Sequence, residues 1–254
     1  MGSCVRLLGL DFDDTSTSSA AALIAERPPD APFCYVVTPN ADHLVRIHRY
    51  QNLKVLYDNA WLRLLDSRVV AEAASALGLL TPSVAPGSDL TALLFERYVA
   101  PADRVTIIGL AVRWLPLLLA RYGLVACAHY DPPRGFERDA ATLAAAVDFV
   151  LTHSARYVFL AVGSPRQEIL ADAICRSGRA TGTGLCIGAS LEFLAGAHRR
   201  APGWMQRSGV EWLYRLGSDP LHMARRYLVD SPAIIPLLLR ERLRVAVHGI
   251  SVAG

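Results

Sequence analysis

Residues 157–168 read YVFLAVGSPRQE, and this stretch decides the fold class. Tyr157–Val162 is an apolar run without alternation, which is typical of a strand that helices cover on both faces of a sheet. A turn signal, Gly163 to Pro165, follows at once, and an amphipathic helical pattern then runs over Gln167–Arg176. We therefore predict a buried strand followed directly by a helix, with Ser164 as the cap and Pro165 in the first turn.

The same alternation of short β-branched runs and longer helical patterns extends over most of the chain. Strands that alternate with helices form βαβ units on a parallel sheet. The sequence therefore predicts an α/β fold: a Rossmann-like, mainly parallel sheet flanked by helices. The other predicted strands are Phe33–Val37, Lys54–Tyr57, Arg104–Leu110, Leu124–His129 and Gly184–Ile187, and further helical patterns cover Ser88–Val99 and Glu137–His153.

The pattern changes to helix upon helix after residue 198. Residues 199–254 carry nine arginines and four acidic residues, whereas residues 1–198 have a net charge of −2. We predict two units, a Rossmann-like catalytic core over 1–198 and a basic helical C-terminal appendage over 199–254. A basic segment of this kind favours phosphates, nucleic acid or an anionic membrane surface.

The last helix of the appendage is amphipathic. Such a helix either lies in a membrane interface or packs on the protein's own core, and the pattern leaves both interpretations open. Its apolar runs are far shorter than the ~20 residues that span a bilayer, so it should not cross one. Its apolar face holds Ile235, Leu238, Leu239, Leu243, Ala246 and Val247, and its polar face holds Arg240, Glu241, Arg244 and His248.

The composition excludes several classes of protein. The chain has 254 residues, 52% of them hydrophobic and 19% charged, which excludes a disordered chain and is enough for a full core. Its five cysteines are widely spaced and form no C-x-x-C pair, which excludes a disulfide scaffold or a zinc ribbon and fits a reducing cytosol. No secretory signal pattern is visible at the N-terminus.

Open parallel sheets bind ligands beyond the carboxyl ends of their strands, so the candidate site residues lie there. Asp66 follows the apolar run Trp61–Leu65 and is a candidate general base, or else a cap for the helix that follows. The segment 163–168 offers backbone N–H groups at a helix start, together with polar side chains for a phosphate or a sugar. The other candidate strand-end segments are Thr38-Pro39-Asn40, Gly109-Leu110 and Gly188-Ala189-Ser190.

An alternative site lies near the N-terminus, where Asp11-Phe12-Asp13-Asp14-Thr15 matches the D-x-D-x-T loop of haloacid-dehalogenase-type phosphatases. In such a phosphatase Asp11 would attack phosphorus, Asp13 would act as acid and base, and Mg²⁺ would neutralise both. A second acidic pair for the metal should follow downstream, but Asp13-Asp14 is the only Asp-Asp pair. The Mg²⁺-dependent phosphatase is kept as the alternative function.

The motifs together resemble the WecG/TagA/CpsF family, glycosyltransferase family 26. The most specific stretches are GASLEFLAG at 188–196, RAPGWMQ at 200–206 and GVEWLYRL at 209–216. Further matches occur in the family's order at TPN (38–40), NAWLRLLD (59–66), GSDL (87–90), PPRGF (132–136) and GSPRQE (163–168). The resemblance covers nearly the whole chain.

The resemblance implies an inverting, metal-independent transfer of a sugar from a UDP-sugar to a lipid-pyrophosphate-linked saccharide. The sugar would be of the N-acetylmannosamine, N-acetylmannosaminuronate, glucose or glucuronate type. The enzyme would be cytoplasmic and peripheral at the inner face of the cell membrane, in cell-surface polysaccharide biosynthesis. No cofactor and no nucleic acid partner are expected, and a homo-oligomer stays open.

The resemblance also assigns roles to residues. Asp66 would be the base, and Thr38, Asn40 and Gln167 would line the sugar pocket. The further substrate-binding candidates are Gly109, Gly163, Ser164, Pro165, Glu168, Gly188, Glu192, Arg215, Arg225 and Arg226, of which the three arginines would hold the UDP pyrophosphate. Ser67 departs from the family pattern because it replaces a glycine after the base. His222 replaces an arginine in the pyrophosphate clamp, and Leu221 and Ala224 beside it also differ from the family's basic and aromatic residues.

Overall fold

The computed structural model describes residues 3–197 and 233–251. Strands β1 (Cys4–Leu7) and β2 (Leu10–Asp13) form an antiparallel hairpin, and six further strands form one sheet in which every pairing is parallel. The six are β3 (Cys34–Val37), β4 (Leu62–Arg63), β5 (Val105–Gly109), β6 (Cys127–Tyr130), β7 (Tyr157–Ala161) and β8 (Thr183–Cys186). Their order across the sheet is β4-β3-β8-β7-β5-β6, which confirms the predicted α/β architecture.

The sheet is covered on both faces because its strands bury side chains in both directions. On β7, Val158 and Leu160 belong to one apolar cluster and Tyr157 and Phe159 to the other, and all four are fully buried. Since successive side chains of a strand point to opposite faces, the two clusters are the two sides of the sheet. This explains why the run 157–162 shows no polar alternation.

The helices that supply the two covering layers follow the strands closely along the chain. Short 3₁₀ turns cover Gln51–Leu53, Val112–Trp114 and Phe136–Arg138. The helices are α1 (Thr17–Glu26), α2 (Ala41–Arg49), α3 (Lys54–Asp58), α4 (Arg68–Ala76), α5 (Gly87–Arg97), α6 (Leu115–Tyr122), α7 (Ala140–Thr152), α8 (Arg166–Arg176), α9 (Ser190–Leu194) and α10 (Ile234–Ser251).

The strand predicted over Lys54–Tyr57 is wrong, because these residues form the short helix α3. The Lys54 ammonium lies 2.6 Å from both carboxylate oxygens of Asp58, and a pair four residues apart meets on a helix but not on a strand. The strand predicted over Leu124–His129 begins later, at Cys127. Residues before it are held by connecting bonds instead, such as Val125 N–H to the carbonyl oxygen of Pro101 at 3.0 Å.

The N-terminal hairpin was not predicted as a hairpin. Its two-residue turn, Leu8-Gly9, has positive φ at both positions (52° and 77°), as a tight turn between antiparallel strands requires. Leucine is an unusual residue for that conformation, and its side chain is buried here, only 2% exposed. The hairpin leads into α1, which Ser16 caps by accepting from the N–H of Ser19.

Helix α10 packs on α2 and α4 and divides its apolar residues between two environments. Ile234 and Leu238 are buried in the core cluster on one side of the sheet. Ile235, Leu239 and Leu243 belong to the predicted apolar face, yet they are 43%, 46% and 66% exposed. The helix thus packs on the protein's own core, as one of the two interpretations predicts, and the membrane interface stays a prediction.

Among the helices of the described residues, none combines the length and hydropathy needed to cross a membrane.

Candidate active site

The carboxyl ends of the parallel strands bring the predicted site segments to one edge of the sheet. The loop after β3 carries Thr38-Pro39-Asn40, and the chain after β4 runs beside it to Asp66. Two backbone bonds hold these segments together: Leu64 N–H donates to Val37 O, and Asp66 N–H donates to Pro39 O, both at 3.0 Å. Asp66 therefore lies next to the loop that carries Thr38 and Asn40.

Asp66 precedes helix α4 but is not its cap. The capping residue is Ser67, whose hydroxyl accepts from the N–H of Val70 at 3.2 Å. Ser67 is also the position that departs from the glycine of the family pattern, and its extended backbone (φ −161°) needs no glycine. The capping interpretation of Asp66 is thus wrong, and its partly exposed carboxylate stays the candidate base.

Thr38 is nearly buried, and its hydroxyl is 3.5 Å from the carbonyl oxygen of Cys186 at the end of β8. Gly87, the first residue of α5, faces it. A Cβ at position 87 would lie only 2.6 Å from Thr38 Oγ1, so only glycine allows this approach. The glycine of the 87–90 motif therefore makes room for the threonine side chain.

Asn40 caps α2, since its side-chain oxygen accepts from the N–H groups of Asp42 and His43 at 3.1 and 3.3 Å. These two bonds fix the orientation of the Asn40 side chain and occupy its oxygen. The amide nitrogen is then the atom that Asn40 can offer to a substrate, as a hydrogen-bond donor.

Gln167 joins the loops that follow β7 and β8. Its side-chain oxygen accepts from the N–H of Gly188 at 2.9 Å, and its nitrogen donates to Glu168 Oε1 at 2.9 Å. Both side chains are almost fully buried, with exposures of 3% and 1%. Their visible role is to hold the two loops together, and their contact with substrate stays a prediction.

Burial raises the pKa of the Glu168 carboxyl, because a charged form would lose its hydration in this interior. The hydrogen bond from Gln167 opposes this shift but does not cancel it. The second carboxyl oxygen, Oε2, has no hydrogen-bond partner among the described residues. A protonated Glu168 suits these surroundings better than a carboxylate.

Ser164 does not cap α8, contrary to the prediction. The helix starts at Arg166 without a side-chain cap, and Pro165 occupies the capping position. The Ser164 hydroxyl instead accepts from Arg46 Nη1 at 3.1 Å and is 3.4 Å from the Tyr57 hydroxyl. Backbone bonds form the first turn, from Gln167 N–H to Gly163 O and from Ile169 N–H to Pro165 O, both at 3.0 Å.

Arg46 and Tyr57 are residues of this region that the sequence analysis missed. Arg46 Nη2 also pairs with Asp42 at 2.5 Å, so the arginine connects α2 to the loop after β7. The spacing of Asp42 and Arg46 is the i, i+4 spacing of helix ion pairs, and it was the only available signal. Nothing in the sequence places either residue beside Ser164, more than 100 residues away along the chain.

Gly109 ends β5 in a left-handed conformation (φ 88°), and Leu110 follows with φ 66°. A Cβ at Gly109 would come within 2.9 Å of the backbone of Ala161, so this position requires glycine. The ring nitrogen Nε2 of His129 lies 2.9 Å from the carbonyl oxygens of both Gly109 and Leu110. His129, a third residue that the sequence analysis missed, thus donates to both carbonyls and holds this turn.

Residues 5–247 match the family described as the glycosyl transferase WecG/TagA/CpsF family. The chain belongs to this family. The match spans nearly the whole chain and confirms the resemblance seen in the sequence. It makes the protein a glycosyltransferase by family, with a sugar donor and an acceptor as its substrates.

The remaining candidates of the WecG/TagA/CpsF pattern divide into two groups. Glu192 is on α9, near the end of β8, and is partly buried; its backbone carbonyl accepts from the N–H of Ala197 at 2.9 Å. Arg215, Arg225, Arg226 and His222 lie outside the described residues. The pyrophosphate clamp therefore stays a prediction.

Neither the family nor the structure supports the phosphatase alternative. Asp11 and Asp13 lie on β2, in the antiparallel hairpin and not at the carboxyl end of a parallel strand. Asp13 accepts from the backbone N–H of Arg63 at 2.8 Å, and Asp11 pairs with Arg6 at 3.3 Å. Asp14 accepts from the backbone N–H and the hydroxyl of Ser83, and these bonds lower its pKa. These contacts fasten the hairpin to the core.

Proposed function

We propose that this protein is an inverting, metal-independent glycosyltransferase that moves a sugar from a UDP-sugar to a lipid-pyrophosphate-linked saccharide. The sugar is of the N-acetylmannosamine, N-acetylmannosaminuronate, glucose or glucuronate type, and the product feeds a cell-surface polysaccharide. The observation that carries the proposal is the backbone bond from Asp66 to Pro39, because it puts a carboxylate beside the threonine and asparagine of the neighbouring loop.

In the proposed reaction the Asp66 carboxylate takes the proton of the acceptor hydroxyl. The acceptor oxygen then forms a bond to the anomeric carbon on the face opposite UDP, and the bond from that carbon to the UDP oxygen breaks. One displacement of this kind inverts the anomeric configuration. The base needs access to the acceptor, and Asp66 is partly exposed at the sheet edge, as such a role requires.

The donor sugar is proposed to lie between the loops after β3, β7 and β8. Asn40 offers an amide nitrogen there, Thr38 a hydroxyl, and the loop at Gly188 is fixed by Gln167. Fixed donors of this kind favour the transition state, since they need no reorganisation when charge develops. Glu168 and Ser164 then act by holding this pocket in shape.

The departing UDP carries a pyrophosphate whose negative charge grows as the bond breaks. Without a metal, this charge needs fixed cations, and guanidinium groups suit phosphate oxygens. The family resemblance proposes Arg215, Arg225 and Arg226 for this role. The left-handed turn at Gly109-Leu110, which His129 holds, lies at the same edge of the sheet and can present backbone N–H groups to a phosphate.

Helix α10 is proposed to bring the enzyme to the inner surface of the cell membrane. Its exposed apolar residues Ile235, Leu239 and Leu243 are accompanied by Arg240, Arg242 and Arg244, which are also exposed. Leucines with arginines beside them fit the boundary between acyl chains and anionic headgroups. A position at the membrane surface would bring the enzyme to its acceptor, which is attached to a membrane lipid.

One assay tests the reaction and separates it from the phosphatase. The purified protein receives each of the four UDP-sugars with a polyprenyl-pyrophosphate-linked saccharide, with and without EDTA. We expect one donor to yield equal amounts of UDP and extended acceptor, with inverted configuration by NMR and no effect of EDTA. Loss of transfer in EDTA would contradict metal independence. EDTA-sensitive release of inorganic phosphate, without transfer, would instead support the phosphatase.

A further inference from the structure

A second cleft, of about 660 Å³, lies away from the candidate active site. It is bounded by the turn of the β1–β2 hairpin, the last turn of α2, the start of α3 and the middle of α10. Asn40 caps the first turn of α2 at the active site, whereas His48 in the last turn lines the cleft. At 1.5 Å per residue, the two ends of this helix are about 12 Å apart.

The cleft has an apolar floor and a basic rim. Leu8 and Ile47 are buried beneath it, with exposures of 2% and 3%. Its charged and titratable lining consists of Arg6, His48, Lys54, Arg244 and one acid, Glu241. Asp11 and Asp58 pair with Arg6 and Lys54 from outside the lining, but the charged groups that face the cleft are mainly basic. Such a lining is complementary to an anion that carries an apolar part.

The ion pairs at the rim do not prevent an anion from binding. Arg6 pairs with Asp11 at 3.3 Å while their side chains are 67% and 54% exposed. Arg244 lies 3.9 Å from Glu241 and is 73% exposed. Lys54 is paired more closely, 2.6 Å from Asp58, and these side chains are 32% and 45% exposed. Pairs that reach solvent contribute little stability, so a phosphate can compete with the carboxylates for the same cations.

The position of the cleft on α10 indicates which anion it meets. At 100° per residue, Arg240 and Arg244 flank the exposed leucines Leu239 and Leu243 on one side, and Arg244 is also a wall of the cleft. Arg242 flanks them on the other side, and its Cζ atom lies 4.0 Å from the point that a Cβ atom on Gly78 would occupy. Arg244 therefore borders both the exposed leucines and the cleft.

We propose that this cleft binds the phosphate of an anionic phospholipid headgroup while the exposed side of α10 enters the interface. Arg6, Lys54 and Arg244 would contact the phosphate, and the apolar floor would contact the glycerol and the first methylenes of the lipid. The proposal rests on the membrane association in the proposed function. It adds a defined lipid site to a helix that would otherwise bind by general attraction alone.

The test measures binding of the full chain to vesicles by co-sedimentation. Vesicles contain phosphatidylcholine alone or with phosphatidylglycerol, and the variant is Arg6→Gln/Lys54→Gln. The matched control is Arg138→Gln/Arg176→Gln, which removes two exposed cations elsewhere and so has the same net charge. Thermal melts confirm that both variants fold.

We expect the cleft variant to bind phosphatidylglycerol vesicles roughly thirtyfold more weakly, the size expected for losing two charges near an anionic surface. The control should lose only a few-fold. Equal losses in the two variants would overturn the site, because general electrostatics would then explain the binding. Displacement of the protein from vesicles by millimolar inorganic phosphate, at constant ionic strength, would overturn the lipid assignment in favour of a free phosphate.

Transfer to a detergent-solubilised acceptor separates this proposal from the proposed function. Neither Arg6 nor Lys54 belongs to the candidate active site, so the cleft variant should transfer sugar at the wild-type rate there. A wild-type protein that binds vesicles as expected but transfers no sugar contradicts the function alone. A protein that transfers sugar while the cleft variant binds vesicles normally contradicts the cleft alone.

Discussion

Asp66 is bound to Pro39 through its backbone, N–H to carbonyl oxygen at 3.0 Å, and its side chain takes no part in that bond. The neighbouring Ser67 takes over the capping of α4. The backbone bond to Pro39 and the cap of α4 thus do not use the Asp66 carboxylate, and asparagine, which has nearly the same shape, keeps both.

The first prediction follows from this separation. Asp66→Asn should lower kcat by about 10²–10⁴, the usual contribution of a general base, while the melting temperature stays near the wild-type value. Steady-state transfer assays measure the effect. Asp148→Asn, which neutralises an exposed carboxylate on α7, serves as the control and should turn over normally. Wild-type turnover in Asp66→Asn would remove Asp66 from the mechanism.

The second prediction concerns His129. His129→Ala deprives the carbonyls of Gly109 and Leu110 of their donor, so the left-handed turn loses its support. We expect the KM for the UDP-sugar to rise about fivefold, with a smaller effect on kcat, since a hydrogen bond contributes about 1 kcal/mol. The control is His153→Ala, a histidine whose Nδ1 meets only the carbonyl of Phe149 in its own helix. If His129→Gln, which keeps a donor, does not restore the KM, a positioning role is wrong.

The third prediction is a pH dependence of stability that Glu168 causes. Burial raises its pKa in the folded protein above the ordinary value of 4.5, so the folded state holds a proton that the unfolded state has lost. Stability must therefore fall as the pH rises from about 4.5 through the folded pKa. Glu168→Gln keeps the acceptor for Gln167 but cannot ionise. Urea unfolding from pH 4 to 8 should show wild type losing stability relative to this variant, and a constant difference would contradict the assignment.

The fourth prediction uses two adjacent leucines of α10. Leu238→Ala opens a cavity in the core and should cost about 2–5 kcal/mol of unfolding free energy. Leu239→Ala removes a side chain that is 46% exposed, so its stability should change by less than about 0.5 kcal/mol. Vesicle binding should instead fall about tenfold in Leu239→Ala. Each variant is the control for the other, and unchanged vesicle binding in Leu239→Ala would exclude the exposed leucines from the interface.

Local pattern predicted five of the six strands of the parallel sheet and missed β4, which has only two residues. The run 157–162 has the composition of a strand buried on both faces, and the apolar clusters on the two sides of the sheet account for that composition. The strand prediction for Lys54–Tyr57 failed because a short run of apolar and aromatic residues fits a helix as well as a strand. There the pair of Lys54 with Asp58 was the better signal.

Short motifs name most of the candidate site residues, but they do not predict contacts between residues that are far apart in the sequence. Asp66, Thr38, Asn40 and Gln167 follow from short segments, and the structure brings their loops to one edge. Arg46 contacts Ser164, which is 118 positions away in the sequence, and His129 contacts Gly109, which is 20 positions away. A local sequence pattern does not predict contacts over such separations. Only the folded sheet shows that these residues hold the loops in place.

Helix α10 buries Ile234 and Leu238 against α2 and α4. Asn40 caps the first turn of α2, and Asp66 lies just before α4. This has a consequence for modularity. The C-terminal helix is not an exchangeable tag that can be transplanted between relatives. A chimera that takes α10 from another enzyme must also take the matching surfaces of α2 and α4. Those helices begin at the candidate active site, so the exchange would change residues beside it.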